Sequence, residues 1–548
     1  MNKLISVILL ITVGIGCTDK NLDQNSKGPK LVVGIVVDQM RYDYLTRFES
    51  KYGENGFKRL ISEGFNCKEH HFSYMPTYTG PGHASVFTGT TPKTHGIIAN
   101  DWYDQDLKRY VYCVEDTSVV SVGGDFVKGN RSPRNLIVTG LADQIKLHTG
   151  QKGKSIGISI KDRAAVLPAG KMADAAYWFK RGQEGLFISS SYYMKQLPDW
   201  VSQFNAQGLP RKYLDQNWVT LLPIEQYTES NPDDSPYEES IDPKGKPVFP
   251  YDLNRLFTEL GFDLIKETPF GNNLLVDFAK EAILQESLGK DDILDFLSIS
   301  FSSPDYIGHN YGPKSVEIED TYIRLDQSIA ELLMFLDQEV GAGEYTVFLT
   351  ADHGVAQIPN ELIDQGVEVG YYTSKKMKKW MNTTLFDHYG VDELVENFSN
   401  YQFFIDDDKL DSMGVDMSEI SNVILNEALK YPGVKSGIVR SDLMSQSYSY
   451  GVNKKVQQGW NTKRSGDVAI IMEPGWLSST YEIKGGSGHG SPWSYDTHVP
   501  LLFYGYGVEK GVSSGLTNVE DIVPTIATIL GVQTPMGCSG VPISEVIK

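Results

Sequence analysis

The stretch LVVGIVVD, residues 31–38, is seven apolar residues in a row closed by an aspartate. A strand with one wet face alternates polar and apolar positions. An unbroken β-branched run of this length belongs to a strand buried on both faces, as in parallel sheets covered by helices. The same grammar recurs in SIGISI (155–160) before Lys161, FLSISF (296–301) shortly before Asp305, and YTVFLT (345–350) just before Asp352. Helical patterns such as LIVTGLADQIKL (136–147) and YIRLDQSIAELLMFL (322–336) lie between them. The expected fold is therefore α/β, a doubly wound, mostly parallel sheet flanked by helices, with cap-like insertions. Ligands of such sheets bind outside the carboxyl ends of the strands, and that is where each of these polar residues falls.

Composition sets the boundaries. The chain has 548 residues, 41% of them hydrophobic, enough for a large core, and a formal net charge of -20. That charge argues against nucleic acid or an anionic membrane surface as the main partner, and an anionic substrate then needs strong local positive charge. Lys3 followed by the apolar run Leu4–Ile15 and Gly16-Cys17 reads as a signal peptide over residues 1–17, too short to span a bilayer. A polar tether over 18–30 follows, so the mature protein is expected outside the cytoplasm, in the periplasm. It is either anchored as a lipoprotein through acylated Cys17 or cleaved and released. Cys67, Cys113 and Cys538 are too few for a disulfide-built scaffold, and Cys67 with Cys113 is the expected single pair.

Residues 31–360 and 466–548 form the expected catalytic domain, and 361–465 an insertion or cap with few strand-like runs. A second insertion, rich in Tyr, Pro and Asp, is expected near 190–255. The acidic segment FIDDDKLD (404–411) has Leu410 where a calcium loop needs an oxygen, so it reads as a solvated face. A monomer is expected.

Two kinds of motif carry chemistry. In TYTGPGHASVFTGT (77–90), Thr79 sits on a Gly-Pro-Gly corner before a helical run, a place for either a capping threonine or a nucleophile activated at a helix start. Asp352-His353, the pair Asp305 and His309 at i and i+4, and His489 in GHGSPW offer mixed carboxylate and imidazole ligands, which suit zinc. His70, His71, His83, His95, His148, His388 and His498 lack that combination of strand-end placement and acidic partner and read as structural or solvated. His498, in DTHVPLL, is the nearest rival to His489. In SIGISIKDRAA (155–165), Lys161 and Arg163 point the same way if the extended geometry persists.

The order Asp38, Thr79, Asp305-x-x-x-His309, Asp352-His353, His489, with THGIIAN (94–100) and DIVPTIATILG (521–531), resembles the alkaline phosphatase superfamily. It resembles in particular the PafA-type, phosphate-irrepressible monoesterases related to nucleotide pyrophosphatase/phosphodiesterases. That resemblance implies two Zn2+ ions, one held by Asp305, His309 and His489, the other by Asp38, Asp352, His353 and the Thr79 oxygen. It also implies a phosphothreonine intermediate at Thr79 and phosphoryl binding by Asn100, Lys161 and Arg163. The sulfatase signature of the same superfamily is missing, because Thr79-Gly80-Pro81-Gly82-His83 has neither the convertible Cys or Ser nor the Arg. The expected activity is hydrolysis of small phosphate monoesters. A phosphodiesterase or nucleotide pyrophosphatase, and more remotely a non-catalytic surface binding protein, are the alternatives.

Overall fold

The computed structural model describes residues 28–124 and 129–548. The signal peptide, Cys17 and the tether up to residue 27 lie outside the described residues. A ten-stranded sheet runs through the molecule. Its strands in chain order are β1 (Leu31–Val37), β2 (Phe65–His71), β3 (Ser121–Val122), β4 (Ser155–Ser159), β5 (Ala175–Lys180), β6 (Leu186–Ser190), β7 (Asp295–Phe301), β8 (Tyr345–Thr350), β9 (Leu501–Gly505) and β10 (Gly511–Asn518). Across the sheet they stand in the order β10-β2-β9-β8-β1-β7-β4-β5-β6-β3.

The apolar runs form the parallel centre. β1 pairs with β8 on one side and β7 on the other, and β4 and β5 extend the parallel set. All seven residues of β1 are buried, each large side chain contributing roughly 1.5–3 kcal/mol. Gly34 in the middle of β1 is required by a close approach: a Cβ there would lie 2.7 Å from Phe87 and 2.8 Å from Phe348. Phe87 belongs to helix α1 (Thr79–Thr88), so this glycine lets the helix settle onto the sheet. Both flanks are mixed rather than parallel. β9 runs antiparallel between β8 and β2, and β6 antiparallel to β5. Only β9 and β6 are reversed: β2 and β10 beyond the one, and β3 beyond the other, run with the centre again, so eight of the ten strands share one direction, as expected of a mostly parallel sheet.

A second sheet, of four strands, is built from Val395–Ser399, Gln402–Ile405, Val434–Val439 and Val468–Met472. It packs against helices Ser374–Tyr389 and Met417–Ala428 around a core of its own. The sequence reading expected few strands here, since runs of only four to six residues, two of them partly exposed, leave a weak pattern. This core takes in Met75 and Tyr78, which places it against the approach to Thr79.

Cys67 and Cys113 are both free and buried, in separate hydrophobic clusters. The expected disulfide is therefore absent: strand β2 and the turn holding Cys113 are packed into different layers.

Candidate active site

The carboxyl ends of β1, β4, β7 and β8 open on one crevice, and the side chains just beyond them meet there. Asp38 follows β1 and is fully buried. Asp305 and His309 lie one turn apart on helix α3 (Ser303–Tyr311), which starts directly after β7, with His309 Nε2 3.2 Å from Asp305 Oδ1. Asp352 and His353 follow β8, and His353 Nε2 is 3.5 Å from both Asp38 Oδ1 and Asp352 Oδ2. His489 arrives from a distant glycine-rich turn, its Nε2 3.6 Å from Asp305 Oδ1 and its ring stacked on His353 at 3.5 Å.

These six residues fall into two groups, Asp305/His309/His489 and Asp38/Asp352/His353, each with its ligand-capable atoms within 4.8 Å of one another. Each imidazole is held through Nδ1, which donates to a backbone carbonyl: Ser487 for His309 (2.8 Å), Gly354 for His353 (3.0 Å) and Thr77 for His489 (2.7 Å). That bond fixes the tautomer and turns the Nε2 lone pair inward, the usual outer-shell device of metal-binding histidines. Burial keeps His353 and His489 neutral, pushing His489 down to about 3 with His309 adding to the effect. Asp38 Oδ1, Asp352 Oδ2 and His353 Nε2 are buried and, among the described residues, have no hydrogen-bond partner. Orphaned acceptors of this kind are costly to bury unless something else satisfies them. A divalent cation fits both groups, and the Asp/His donor set suits zinc.

Thr79 is linked to both groups through Lys161, whose ammonium reaches the Thr79 hydroxyl and one carboxylate of each group. It is the first residue of helix α1, whose N-cap is Tyr78, and among the described residues no side chain caps that helix. The hydroxyl is therefore not spent on capping. Instead Lys161 Nζ reaches Thr79 Oγ1 at 3.4 Å and Arg163 Nη2 reaches it at 3.3 Å. Gly82 allows this placement: a Cβ there would stand 2.4 Å from the Asp352 carbonyl oxygen, so any larger residue would lever the helix away from β8. His83, read as structural, donates from Nδ1 to the Thr79 carbonyl (2.9 Å) and, kept neutral by burial, accepts at Nε2 from the Ser300 hydroxyl (2.8 Å), and so anchors the same helix turn.

The extended geometry assumed for Lys161 and Arg163 stops at Lys161. That residue is the extended N-cap of helix α2 (Asp162–Ala169), and Arg163 is already in its first turn. The two side chains converge on Thr79 nonetheless. Lys161 does more than the sequence suggested: its ammonium donates to Asp38 Oδ2 at 2.7 Å and Asp305 Oδ2 at 2.5 Å, one carboxylate from each group. Burial works against charge on Asp305, yet His309 and Lys161 outweigh it and hold that carboxyl well below the usual range. Asn100 accepts from the Gly80 backbone N–H through Oδ1 at 2.7 Å, which orients its amide beside the helix start.

Two contributors escaped sequence reading. Gln39 donates through Nε2 to Asp305 Oδ1 (2.8 Å) and through its backbone N–H to Asp352 Oδ1 (3.1 Å), linking the two groups from a left-handed conformation with φ 67°. Tyr481 brings its hydroxyl to 2.9 Å from His309 Nδ1. Gln39 stands next to a strand-end aspartate, a cue too generic to single it out, and nothing local marks Tyr481.

The profile of the type I phosphodiesterase / nucleotide pyrophosphatase family matches residues 32–499 of the chain. A curated protein of Myroides odoratus, named calcium-transporting ATPase, is 45% identical over 95% of this chain and 95% of its own. The alkaline phosphatase PafA of Elizabethkingia meningoseptica is 44% identical over 95% of this chain and 94% of its own. A crystal structure of wild-type alkaline phosphatase PafA matches with a TM-score of 0.91 at 43% identity, covering 95% of this chain and 99% of that one.

Proposed function

The chain belongs to the type I phosphodiesterase / nucleotide pyrophosphatase family, and we propose that within it the protein is an alkaline phosphatase, hydrolysing small phosphate monoesters through Thr79. One observation carries this reading. Lys161 and Arg163 close on the Thr79 oxygen at 3.4 and 3.3 Å, between two Asp/His groups that each suit a divalent ion. A dianionic phosphoryl group placed on Thr79 would meet both cations at once.

Asp305, His309 and His489 would hold one zinc, and Asp38, Asp352 and His353, with the Thr79 oxygen, the other. When bound, such a pair supplies Lewis-acid stabilisation of the attacking and leaving oxygens of an in-line displacement. The chain's own residues do the rest. Thr79 Oγ1 attacks phosphorus from the start of α1, where backbone N–H groups and the helix dipole favour the incoming anion. Lys161, Arg163 and the oriented Asn100 amide hold the non-bridging oxygens, where charge spreads in the transition state. As the bond from Thr79 Oγ1 to phosphorus forms, the opposite P–O ester bond breaks and the alcohol departs, taking up in balance the proton that the Thr79 hydroxyl gave up. Water entering from that vacated side then hydrolyses the phosphothreonine, releasing inorganic phosphate and returning the Thr79 hydroxyl. His83 and Ser300 keep the helix turn from recoiling as the bond forms.

A diesterase would leave one of the two cations facing an esterified oxygen, so the paired arrangement favours the monoester. No helix among the described residues is long and apolar enough to cross a membrane. We further infer export to the periplasm from the signal-like start of the sequence. The deciding experiment compares kcat/KM for an aryl phosphate, its methyl diester, ATP and an aryl sulfate on metal-analysed protein. The monoester is expected to lead. A preference for the diester would replace this reading with the phosphodiesterase one.

A further inference from the structure

Strand β2 ends in the sequence Glu69-His70-His71, and the pleat sorts these residues by face. His70 is fully buried, with Nδ1 2.9 Å from Thr517 Oγ1, while Glu69 is exposed and His71 half-buried on the other side. Across from His71, in an isolated antiparallel bridge, stands His498. Its ring stacks on His71 at 4.5 Å with 13° between planes, and also on Tyr42 at 4.8 Å with 12°. Glu69 Oε2 lies 3.3 Å from His71 Nε2. One ligand-capable atom from each of Glu69, His71 and His498 falls within 4.8 Å of the other two.

The second observation is the state of His498. Its Nε2 donates to the Lys68 carbonyl at 2.7 Å, which leaves Nδ1 with its lone pair. This repeats, with the nitrogens exchanged, the carbonyl bond that sets the lone pair of each histidine in the catalytic groups. A histidine fixed in this way has its ligating nitrogen already free of a proton.

We propose that Glu69, His71 and His498 form a third metal site, separate from the catalytic groups, that takes a borderline divalent transition ion such as zinc. Two imidazoles and a carboxylate are an established zinc donor set, with water completing an open coordination shell. Ligand bonds of about 2.0–2.2 Å set tetrahedral donors about 3.3–3.6 Å apart. The Glu69–His71 pair already meets that spacing, while the stacked rings of His71 and His498 hold their lone pairs in nearly parallel planes, so half-buried His71 turns out of the stack to converge with His498 on the ion. Lys455, whose ammonium donates to Thr497 Oγ1 at 3.3 Å and Pro492 O at 2.7 Å, is the nearby opposing charge. It makes this site weaker than the buried, carboxylate-rich groups.

The location gives the ion a structural consequence. Phe72 N–H donates to the Thr497 carbonyl (2.9 Å) and Val499 N–H to the His70 carbonyl (3.1 Å), so β2 and the segment entering β9 already pair here. The same segment leads back through Asp496, which accepts from the backbone of Gly490 (3.1 Å) and Ser491 (2.7 Å), to His489. An ion clamped at Glu69/His71/His498 braces the outer end of the turn that presents His489.

The test is titration of metal-replete, dialysed protein with Zn2+ by isothermal calorimetry, beside His71→Asn and Glu69→Gln. The parent should bind one further equivalent, and both variants should bind it at least tenfold more weakly. Aryl phosphate turnover should stay within twofold of the parent, since neither residue touches the catalytic groups. Added Zn2+ should raise the melting temperature of the parent more than that of either variant at the same concentration. Glu69→Gln alters only an exposed side chain, so its loss of binding cannot be charged to misfolding. Absence of a further equivalent in the parent overturns the proposal, and so does undiminished binding in either variant.

Discussion

Replacing Arg163 by Ala removes a guanidinium that reaches Thr79 Oγ1 at 3.3 Å and the Tyr112 hydroxyl at 3.2 Å, without touching either Asp/His group. Losing one preorganised donor of this kind costs about 10²- to 10³-fold, or roughly 2.7–4 kcal/mol. Lys161→Ala removes the partner cation and should cost at least as much. It also leaves Asp38 Oδ2 and Asp305 Oδ2 without the ammonium that joins them at 2.7 and 2.5 Å. If the two donors acted independently, the double mutant would lose about 10⁴- to 10⁶-fold. They address the same oxygen, so a coupling of about 0.5–3 kcal/mol should return roughly 2- to 150-fold of that loss. A methyl diester places an esterified oxygen against one of the cations, and its kcat/KM should fall much less. The assay is kcat/KM for an aryl phosphate and its methyl diester on the parent, both singles and the double. All four need saturating metal and conditions where chemistry rather than diffusion is limiting. Equal proportional losses on the two substrates would refute the reasoning. The pair would then support the metal groups or the fold, and the diesterase reading would gain ground.

Chelation should abolish activity and zinc restore it, with about two zinc ions per active chain in the catalytic groups by elemental analysis; active protein free of zinc refutes this. Thr79→Ala should prevent phosphate labelling of the chain, whereas Thr79→Ser keeps the oxygen and should retain substantial activity. Phosphate trapped on another residue would show the nucleophile to be misassigned. Burial, assisted by Arg464, lowers His95 to about 3, and its ring is held between Ser85 Oγ at 2.9 Å and the Ile97 N–H at 3.1 Å. The unfolded chain, with an ordinary histidine near 6.5, binds more protons between those values, so this group's stabilising contribution is complete above about pH 6.5 and lost as pH falls toward 3. His95→Gln should flatten that part of the stability profile, measured by urea denaturation, and an unchanged slope counts against the assignment.

The sequence alone determined the centre of the sheet and most of the site for one physical reason. A strand buried on both faces must be apolar throughout, so the first polar residue after it marks a carboxyl end. In a parallel sheet the carboxyl ends collect along one crevice. Asp38, Lys161, Asp305 and Asp352 could be placed together on that logic before any contact was known. The spacing of Asp305 and His309 on one helix face is equally local. Only the tertiary structure decided what depends on residues far apart in the chain. It set the reversed direction of β9 and β6 and the strand pairing of residues 395–472, because strand partners are chosen by register between segments tens to hundreds of residues apart. It separated Cys67 from Cys113 into different layers. It spent Lys161 on two carboxylates as well as on Thr79, and it drew Gln39 and Tyr481 into the site. It also brought His498 onto His71, a juxtaposition that neither flanking sequence contains. Periodicity reports which face of an element is buried, whereas hydrogen bonds between elements belong to the packed chain.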